Sequence, residues 1–362
     1  MIRILHILGT LDQGGAQTYI LRYLDFDQEN THYILCQSGI EGALADEYRK
    51  KGAVIISNIK FHYLSGNYFS FIRFLHKEKI DVVWNGNPDI LLILSWLAGK
   101  KTILFHRGSQ KPTPKNILDL RYLYLKVMTW TCRKTVNKVL ANSYTALNNY
   151  HPNYKKDPLK YKVIYNGIRK EDISTKNKQE IRALLGIPEN CFVIGHSGRL
   201  DFSKNHDMII NVAIKLCKKY NDIHFILMGL NVDKKYSPLI NSHNLLNQIH
   251  LMGYRTDVMD ILKGLDLFYF PSITEGNPNA LLEAMVSNIP FVASDIPPIK
   301  ESVPDFLQAT LINPYNEEEN YSAIENMYLH REKLEIRKCK EWTIDRYDAY
   351  RQFNLFKNEL EN

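Results

Sequence analysis

What most constrains this chain is a rhythm. Short runs rich in β-branched and aromatic residues, IRILHIL, HYILC, AVIIS, DVVW, TILFH, KVLAN and KVIYN, recur with helix-patterned segments between them. A second series follows: FVIGHSG, IHFILMG, IHLMG, LDLFYF and IPFVAS, with ATLI as a candidate sixth. Strands that alternate with helices predict parallel sheets covered on both faces, and two such series predict two Rossmann-like domains in an α/β chain. The length of 362 residues agrees, since single cores stop growing well short of it. The turn YNGI, from Tyr165 to Ile168, ends the first series, and the Lys-rich stretch RKEDISTKNKQEIRALLGIPEN leads into the second. The expected division is therefore 1–168, 169–342 and a terminal segment 343–362. That segment contains TIDRYDAYRQFNLFKNEL, whose amphipathic pattern predicts a terminal helix packing back toward the first domain.

Other features narrow the class. The five cysteines, Cys36, Cys132, Cys191, Cys217 and Cys339, are odd in number and include no C-x-x-C pair, which argues for reduced thiols in a cytoplasmic setting and against a structural zinc site. MIRILHILGTLDQGG lacks the long apolar region and cleavage site of a signal peptide and reads as a first strand. The most apolar stretch, ILLILSWLAG from Ile90, is about half the length a membrane span needs. Charge is asymmetric: residues 1–168 hold 23 Lys and Arg against 12 Asp and Glu, a net +11, while the whole chain nets +7. Such a basic half suits an anionic membrane surface, a nucleic acid or a phosphorylated ligand equally well.

Three stretches carry candidate chemistry. In ITEGNPNALLEAM, Asn277 and Pro278 form a plausible helix start, as cap and first residue, so the amides near Asn279 and Ala280 are free to hold a phosphate. Glu275 precedes that point and Glu283 follows it within the helix; a carboxylate accepts hydrogen bonds in pairs, which suits the vicinal hydroxyls of a ribose or hexose. An exposed helix with two solvated acids satisfies the same spacing. GHSGRLDFSKNHD follows a strand and sets Gly198, Arg199 and Lys204 at its carboxyl end, where open α/β sheets bind ligands. A cation about 4 Å from a phosphate contributes roughly 4 kcal/mol at an effective dielectric near 20, enough to matter for a leaving diphosphate. Solvated loop cations remain the alternative. Finally, GTLDQGGAQT contains G-x-x-x-x-G, but Gly15 and Ala16 stand where a P-loop needs Lys and Ser/Thr, and no G-x-G-x-x-G occurs. What remains is a double-glycine turn, Gly14-Gly15, able to approach a ligand closely or simply to connect strand and helix.

Taken together, GGAQ after strand one, SGRLDFSKN opening the second domain, LMGYRTDV, and TEGNPNALLEAM with its E-x7-E spacing resemble the retaining GT-B glycosyltransferases of family GT4. The similarity covers nearly the whole chain, with E-G-x-P-N-x-x-x-E plus GRL and its lysine the most specific part. The resemblance implies two Rossmann-like domains facing each other across a cleft, the C-terminal one binding a nucleotide-activated sugar and the N-terminal one the acceptor. It assigns Glu275 to the donor sugar hydroxyls, Glu283 to the nucleotide ribose, and Arg199 and Lys204 to the diphosphate. Gly14 and Gly15 would lie beside the donor phosphates, and the amides of Asn279, Ala280 and Leu281 would complete the anion site. Tyr254 and Arg255 fall near the place of the base. His106, closing TILFH, matches a family histidine near the reacting sugar, although a single strand-end histidine is more often a packing residue. Gln17 departs from the family, where many members have Glu, and removes charge from that position.

The implied reaction is a front-face displacement: the diphosphate leaves, the anomeric carbon gains oxocarbenium character, and the acceptor hydroxyl enters from the same side. Stabilised negative charge and orientation are then needed more than a nucleophile. No cofactor and no metal are expected. Asp25-x-Asp27 is reminiscent of a metal-binding D-x-D but falls after the first helix and reads as solvated loop acids. TPKNILDLRYLYLKVMTWTCRKTVNKV starts a helix at Thr113 and Pro114, with Lys115, Tyr122, Lys126 and Arg133 along one stripe, an expected peripheral contact with anionic lipid at the inner membrane face. The leading reading is a glycosyltransferase taking sugar from a UDP-linked donor to a glycan or lipid-linked saccharide in cell-surface polysaccharide synthesis, with no nucleic-acid partner. The alternatives are a sugar-nucleotide 2-epimerase or hydrolase on the same fold, and a non-enzymatic membrane or nucleic-acid binding protein.

Overall fold

The structure, a computed structural model, describes residues 1–12, 14–57, 67–108, 120–330 and 337–362. It comprises two compact units, Met1–Gly167 joined by Tyr350–Asn362, and Ile168–Ala349.

The first unit holds β1 (Arg3–Leu8), β2 (Thr31–Cys36), β3 (Val54–Ile56), β4 (Val82–Asn85), β5 (Lys101–His106), β6 (Lys138–Ala141) and β7 (Tyr161–Val163). They form one sheet in the order β3-β2-β1-β4-β5-β6-β7, and every pairing is parallel. Buried on both faces, the central strands read as continuous apolar runs, which is why the sequence shows them so clearly. One face packs Leu5, Val83 and Leu104 against Phe71, Leu75, Leu91 and Cys132 from the crossover helices. The other carries an aromatic cluster in which Tyr19, Tyr23, Trp84 and Phe105 meet Phe356, with Phe353 against the two tyrosines. Those two phenylalanines come from the last helix, Ala349–Glu361, so the end of the chain completes the core of the first unit. Burying such a ring contributes about 1.5–3 kcal/mol. The tail is two helices rather than one: Arg337–Arg346 comes first, and the division between units falls between Ala349 and Tyr350.

The second unit holds β8 (Phe192–Ser197), β9 (Ile223–Met228), β10 (Ile249–Leu251), β11 (Leu267–Phe270) and β12 (Phe291–Ala293), again all parallel, in the order β10-β9-β8-β11-β12. Its core gathers Ile194, Phe225, Leu227 and Tyr269 under the helices His206–Lys219, Val232–Ser242 and Glu317–Leu329. ATLI does not form a strand. Thr310 ends a 3-10 segment, Asp305–Thr310, and Ile312 makes only an isolated bridge with Ser294. In both sheets the order reverses beside the first strand, between β1 and β4 and between β8 and β11, and the carboxyl ends there are the places where doubly wound sheets bind ligands.

Candidate functional site

In the second unit two loops meet at such a reversal. After β8, Gly198 leads into the turn Phe202–Lys204, started by Asp201, whose carboxylate accepts from the Ser203 amide (2.9 Å) and hydroxyl (2.6 Å). Asn205 follows at φ 58°, a left-handed conformation that asparagine tolerates, and opens the helix His206–Lys219. Its side-chain amide donates to the carbonyls of Pro271 (3.1 Å) and Pro314 (2.8 Å), and the Ile273 amide donates to the Ser203 carbonyl (2.8 Å). The loop after β8 is thereby stitched to the loop after β11. The result is an ion pair across that seam: Lys204 Nζ stands 2.6 Å from Glu275 Oε1, with side chains 20% and 9% exposed. Lys204 also lies over the Phe270 ring, 5.2 Å from its centroid.

Close approach shapes the floor. A Cβ on Gly229 would fall 1.9 Å from the Gly198 carbonyl oxygen, so these backbones touch only because one residue has no side chain. Beneath Gly198 two histidines are held neutral. His196 Nδ1 faces the Tyr269 carbonyl at 3.0 Å and so carries its proton there; His206 Nε2 donates to the Gly198 carbonyl at 3.1 Å. Burial, with a smaller repulsion from His206, keeps the His196 pKa well below the usual imidazole value, and burial pushes His206 down to about 4.

The helix after Glu275 begins at Asn279 and runs to Val286. Its cap position is Pro278, with no side-chain cap, so Asn277 is not the cap. Instead Asn277 is buried, and its amide approaches the Ser302 hydroxyl at 3.4 Å. Asn279 and Ala280 are half-buried at the helix start, Leu281 is buried in the core, and Glu283 is the half-buried member of an otherwise buried stretch. Arg199 is on the Lys204 loop but 62% exposed, its guanidinium 3.9 Å from Asp201. Arg255 is clamped by both oxygens of Asp257 (2.8 and 2.5 Å), and Tyr254 is exposed.

Comparison with known proteins decides the family. Residues 177–340 match the family described as Glycosyl transferases group 1, and residues 13–172 match Glycosyltransferase Family 4. A capsular polysaccharide biosynthesis glycosyltransferase, CapH of Staphylococcus aureus, is 30% identical over 311 residues, 82% of each chain. The chain belongs to glycosyltransferase family 4.

A UDP-Gal:alpha-D-GlcNAc-diphosphoundecaprenol alpha-1,3-galactosyltransferase of Escherichia coli is 30% identical over 240 residues, 63% of this chain and 61% of that one. The fold is shared with Anabaena HepE, solved in complex with UDP and glucose, at a TM-score of 0.79 over the full length of both chains and 19% identity. This glycosyltransferase is thus a GT-B protein of two parallel-sheet, Rossmann-like domains.

The first unit of the glycosyltransferase carries the other sequence candidates. Gly14 caps the helix Gly15–Phe26 in extended conformation. A Cβ there would fall 2.5 Å from Gln17 Oε1, whose amide nitrogen donates to the Thr10 carbonyl at 3.0 Å, while Gly15 faces open space. His106 ends β5 and is buried, 2% exposed, stacked on Tyr150 at 4.0 Å and hydrogen-bonded to His151 at 3.0 Å. Burial and that neighbour hold its pKa well below the usual value, so its ring is neutral.

Two expectations change in this unit. Asp27 is not a solvated acid: it is 1% exposed and accepts from Tyr23 (2.8 Å) and Asn30 (3.1 and 3.0 Å), whereas Asp25 pairs with Lys51. Asp27 does follow the helix, as its C-cap, but contacts with Tyr23 and Asn30 enclose it. On the helix Leu120–Thr135 the exposed stripe is Leu120, Leu123, Val127 and Trp130 beside Lys126 and Lys134, while Tyr122 and Arg133 are half-buried; Thr113, Pro114 and Lys115 lie outside the described residues. No helix among the described residues is long and apolar enough to cross a membrane, and no group of three His, Cys, Asp or Glu there could hold a metal. Asn205, Ser203 and Gly229 went unassigned in the sequence; the only signal for Asn205 was an asparagine directly before a helix.

Proposed function

We propose that this glycosyltransferase takes a sugar from a UDP-linked donor bound by the second unit and transfers it, with retention, to a lipid-linked or glycan acceptor bound by the first, in cell-surface polysaccharide synthesis. The observation that carries this reading is the Lys204–Glu275 pair, 2.6 Å apart across two loops at the sheet reversal. A cation and a carboxylate that already touch are both within reach of one small ligand: Lys204 turns to the diphosphate and Glu275 to the sugar hydroxyls. The amides of Asn279, Ala280 and Leu281 at a helix start supply further anion donors, Arg199 adds an exposed cation, and Glu283 takes the ribose. In the first unit, Gly14 and Gly15 lie beside the donor phosphates, Gly15 facing open space at the start of the helix Gly15–Phe26 and Gly14 making room for the Gln17 side chain, and His106 presents a neutral ring.

In the displacement the acceptor oxygen forms the new bond to the anomeric carbon as the bond from that carbon to the phosphate oxygen breaks. The hydroxyl proton passes to the departing phosphate. Lys204 stabilises the charge that accumulates there. The reaction needs no metal in this reading, so chelation with EDTA leaves the rate unchanged; loss of activity with recovery on adding manganese contradicts it. The apolar stripe of Leu120, Leu123, Val127 and Trp130, flanked by Lys126 and Lys134, supports peripheral contact with anionic lipid, checked by co-sedimentation with anionic vesicles at low salt.

The test of the function is a panel of UDP, GDP and ADP sugars screened for thermal stabilisation, followed by assay with and without a diphospholipid-linked saccharide. Stabilisation by a UDP-sugar with acceptor-dependent turnover is expected. Rapid consumption of UDP-sugar without acceptor points instead to the epimerase or hydrolase chemistry.

A further inference from the structure

Arg107, the residue after β5, is a cation without a counter-charge. Its guanidinium lies over Tyr19, 3.8 Å from the ring centroid, and over Phe105 at 4.8 Å, and one terminal nitrogen donates to Asn166 Oδ1 at 2.6 Å. The remaining two nitrogens, Nε and Nη1, are closed to solvent and have no acceptor. Among the described residues no carboxylate pairs with it, and burial, the largest influence, lowers its pKa to about 10.

The neighbouring strand ends repeat the pattern. Asn85 ends β4, 4% exposed, with Nδ2 unpaired while its Oδ1 accepts from the Asn87 amide at 3.0 Å. Asn142 follows β6, 2% exposed, with Oδ1 unpaired while Nδ2 donates to the Arg107 carbonyl at 3.1 Å. The Tyr19 hydroxyl makes no well-formed hydrogen bond either, although it lies close enough to the Arg107 guanidinium to be attracted by it. Strand register sets these groups side by side, since Asn85 pairs with Leu104 and His106 with Ala141. Gly86 adds no bulk beside them: a Cβ there would be 3.9 Å from Arg107 Cγ.

Each buried donor or acceptor left unmet costs about 1–3 kcal/mol, and a charged one more. Three such residues at the carboxyl ends of adjacent parallel strands, faced by Tyr19 of the helix Gly15–Phe26, are the equipment of a binding site rather than of a packing arrangement. The donors are in excess and one is cationic, so the complement is an oxyanion; the acceptor on Asn142 suits a hydroxyl next to it. We propose that Arg107, with Asn85 and Asn142, forms an oxyanion site in the first unit that takes a phosphate group of a substrate. This rests on the reading above that the substrates carry diphosphates. Two sources share that chemistry, the acceptor's diphosphate and the donor's own.

The experiment is calorimetric titration of inorganic pyrophosphate into the full chain already saturated with UDP, in parallel with titration of UDP itself. With UDP filling the donor's diphosphate site, the wild type is expected to take up pyrophosphate, Arg107→Gln to bind it about tenfold or more weakly, and both to bind UDP equally. That result assigns the oxyanion to the acceptor. Loss of UDP affinity in Arg107→Gln, with no separate pyrophosphate uptake by the wild type, keeps the oxyanion site and assigns it to the donor. Unchanged binding of both ligands overturns the proposal, leaving ordered water as the partner of these groups. Because Arg107 also stacks on two rings, Asn85→Ala, which leaves the stack intact, is titrated alongside and is expected to weaken the same ligand by a smaller factor. These titrations need no turnover, so a chain that binds as described but transfers no sugar contradicts the function and not the site.

Discussion

The two units share one architecture and differ in the polar chemistry at their strand ends. Both sheets are parallel and reverse order beside their first strand. At that reversal the second unit sets a charged pair, Lys204 and Glu275, braced by Asn205 and by the Ser203–Ile273 backbone contact. The first unit sets a buried neutral histidine, His106, at the end of β5, hydrogen-bonded to His151, and next to it the guanidinium of Arg107. One sheet order therefore presents opposite equipment. A carboxylate and a cation that neutralise one another can be held partly buried, whereas a cation kept from solvent without a carboxylate relies on aromatic faces and amide acceptors to offset part of its desolvation.

The sharpest way to break this contrast is Lys204→Ala. Turnover is expected to fall by about 10²- to 10³-fold, the usual loss for one preorganised charge-stabilising donor, and near-wild-type rates in steady-state assays remove Lys204 from the chemistry. Next is the floor beneath it. Gly229→Ala forces a methyl against the Gly198 carbonyl and is expected to cost about 1–3 kcal/mol, or a melting temperature lower by several degrees; an unchanged melting curve shows that the backbone contact is not needed. Arg199→Ala sharpens the comparison within one loop. Being 62% exposed and only loosely held by Asp201, Arg199 should lose about tenfold in turnover, less than Lys204; an equal loss means the loop closes on its ligand.

The smallest effect concerns pH and treats the units alike. Imidazoles with folded-state pKa values below their unfolded values bind fewer protons when folded, so the stability they contribute is complete above about pH 6.5 and declines as pH falls toward their folded values. His6 and His106 in the first unit and His196 and His206 in the second, the last at about 4, all have that sign. Melting temperature should drop steadily between about pH 6.5 and 4. A flat profile contradicts the neutral assignment.

The fold was legible because parallel strands buried on both faces give apolar runs such as TILFH and LDLFYF. ATLI misled because Ile312 has the composition of a strand but only a single bridge to make. Of the proposed site, the residue types were visible in the sequence, a Gly, Arg and Lys after one strand and a Glu before a helix. Its geometry was not: Lys204 and Glu275 are far apart in sequence, and only the adjacency of β8 and β11 brings their loops together. Burial was the least legible quantity. Asp27 looked solvated and is enclosed by Tyr23 and Asn30, and nothing in HRG marks Arg107 as a cation without a carboxylate beside it.

Calorimetry of UDP and a UDP-sugar against the wild type, Lys204→Ala and Glu275→Gln tests the shared role of the pair most directly. Removing the lysine should weaken both ligands, while neutralising the carboxylate should abolish only the extra affinity the sugar confers. Donor binding indifferent to both substitutions would contradict the account.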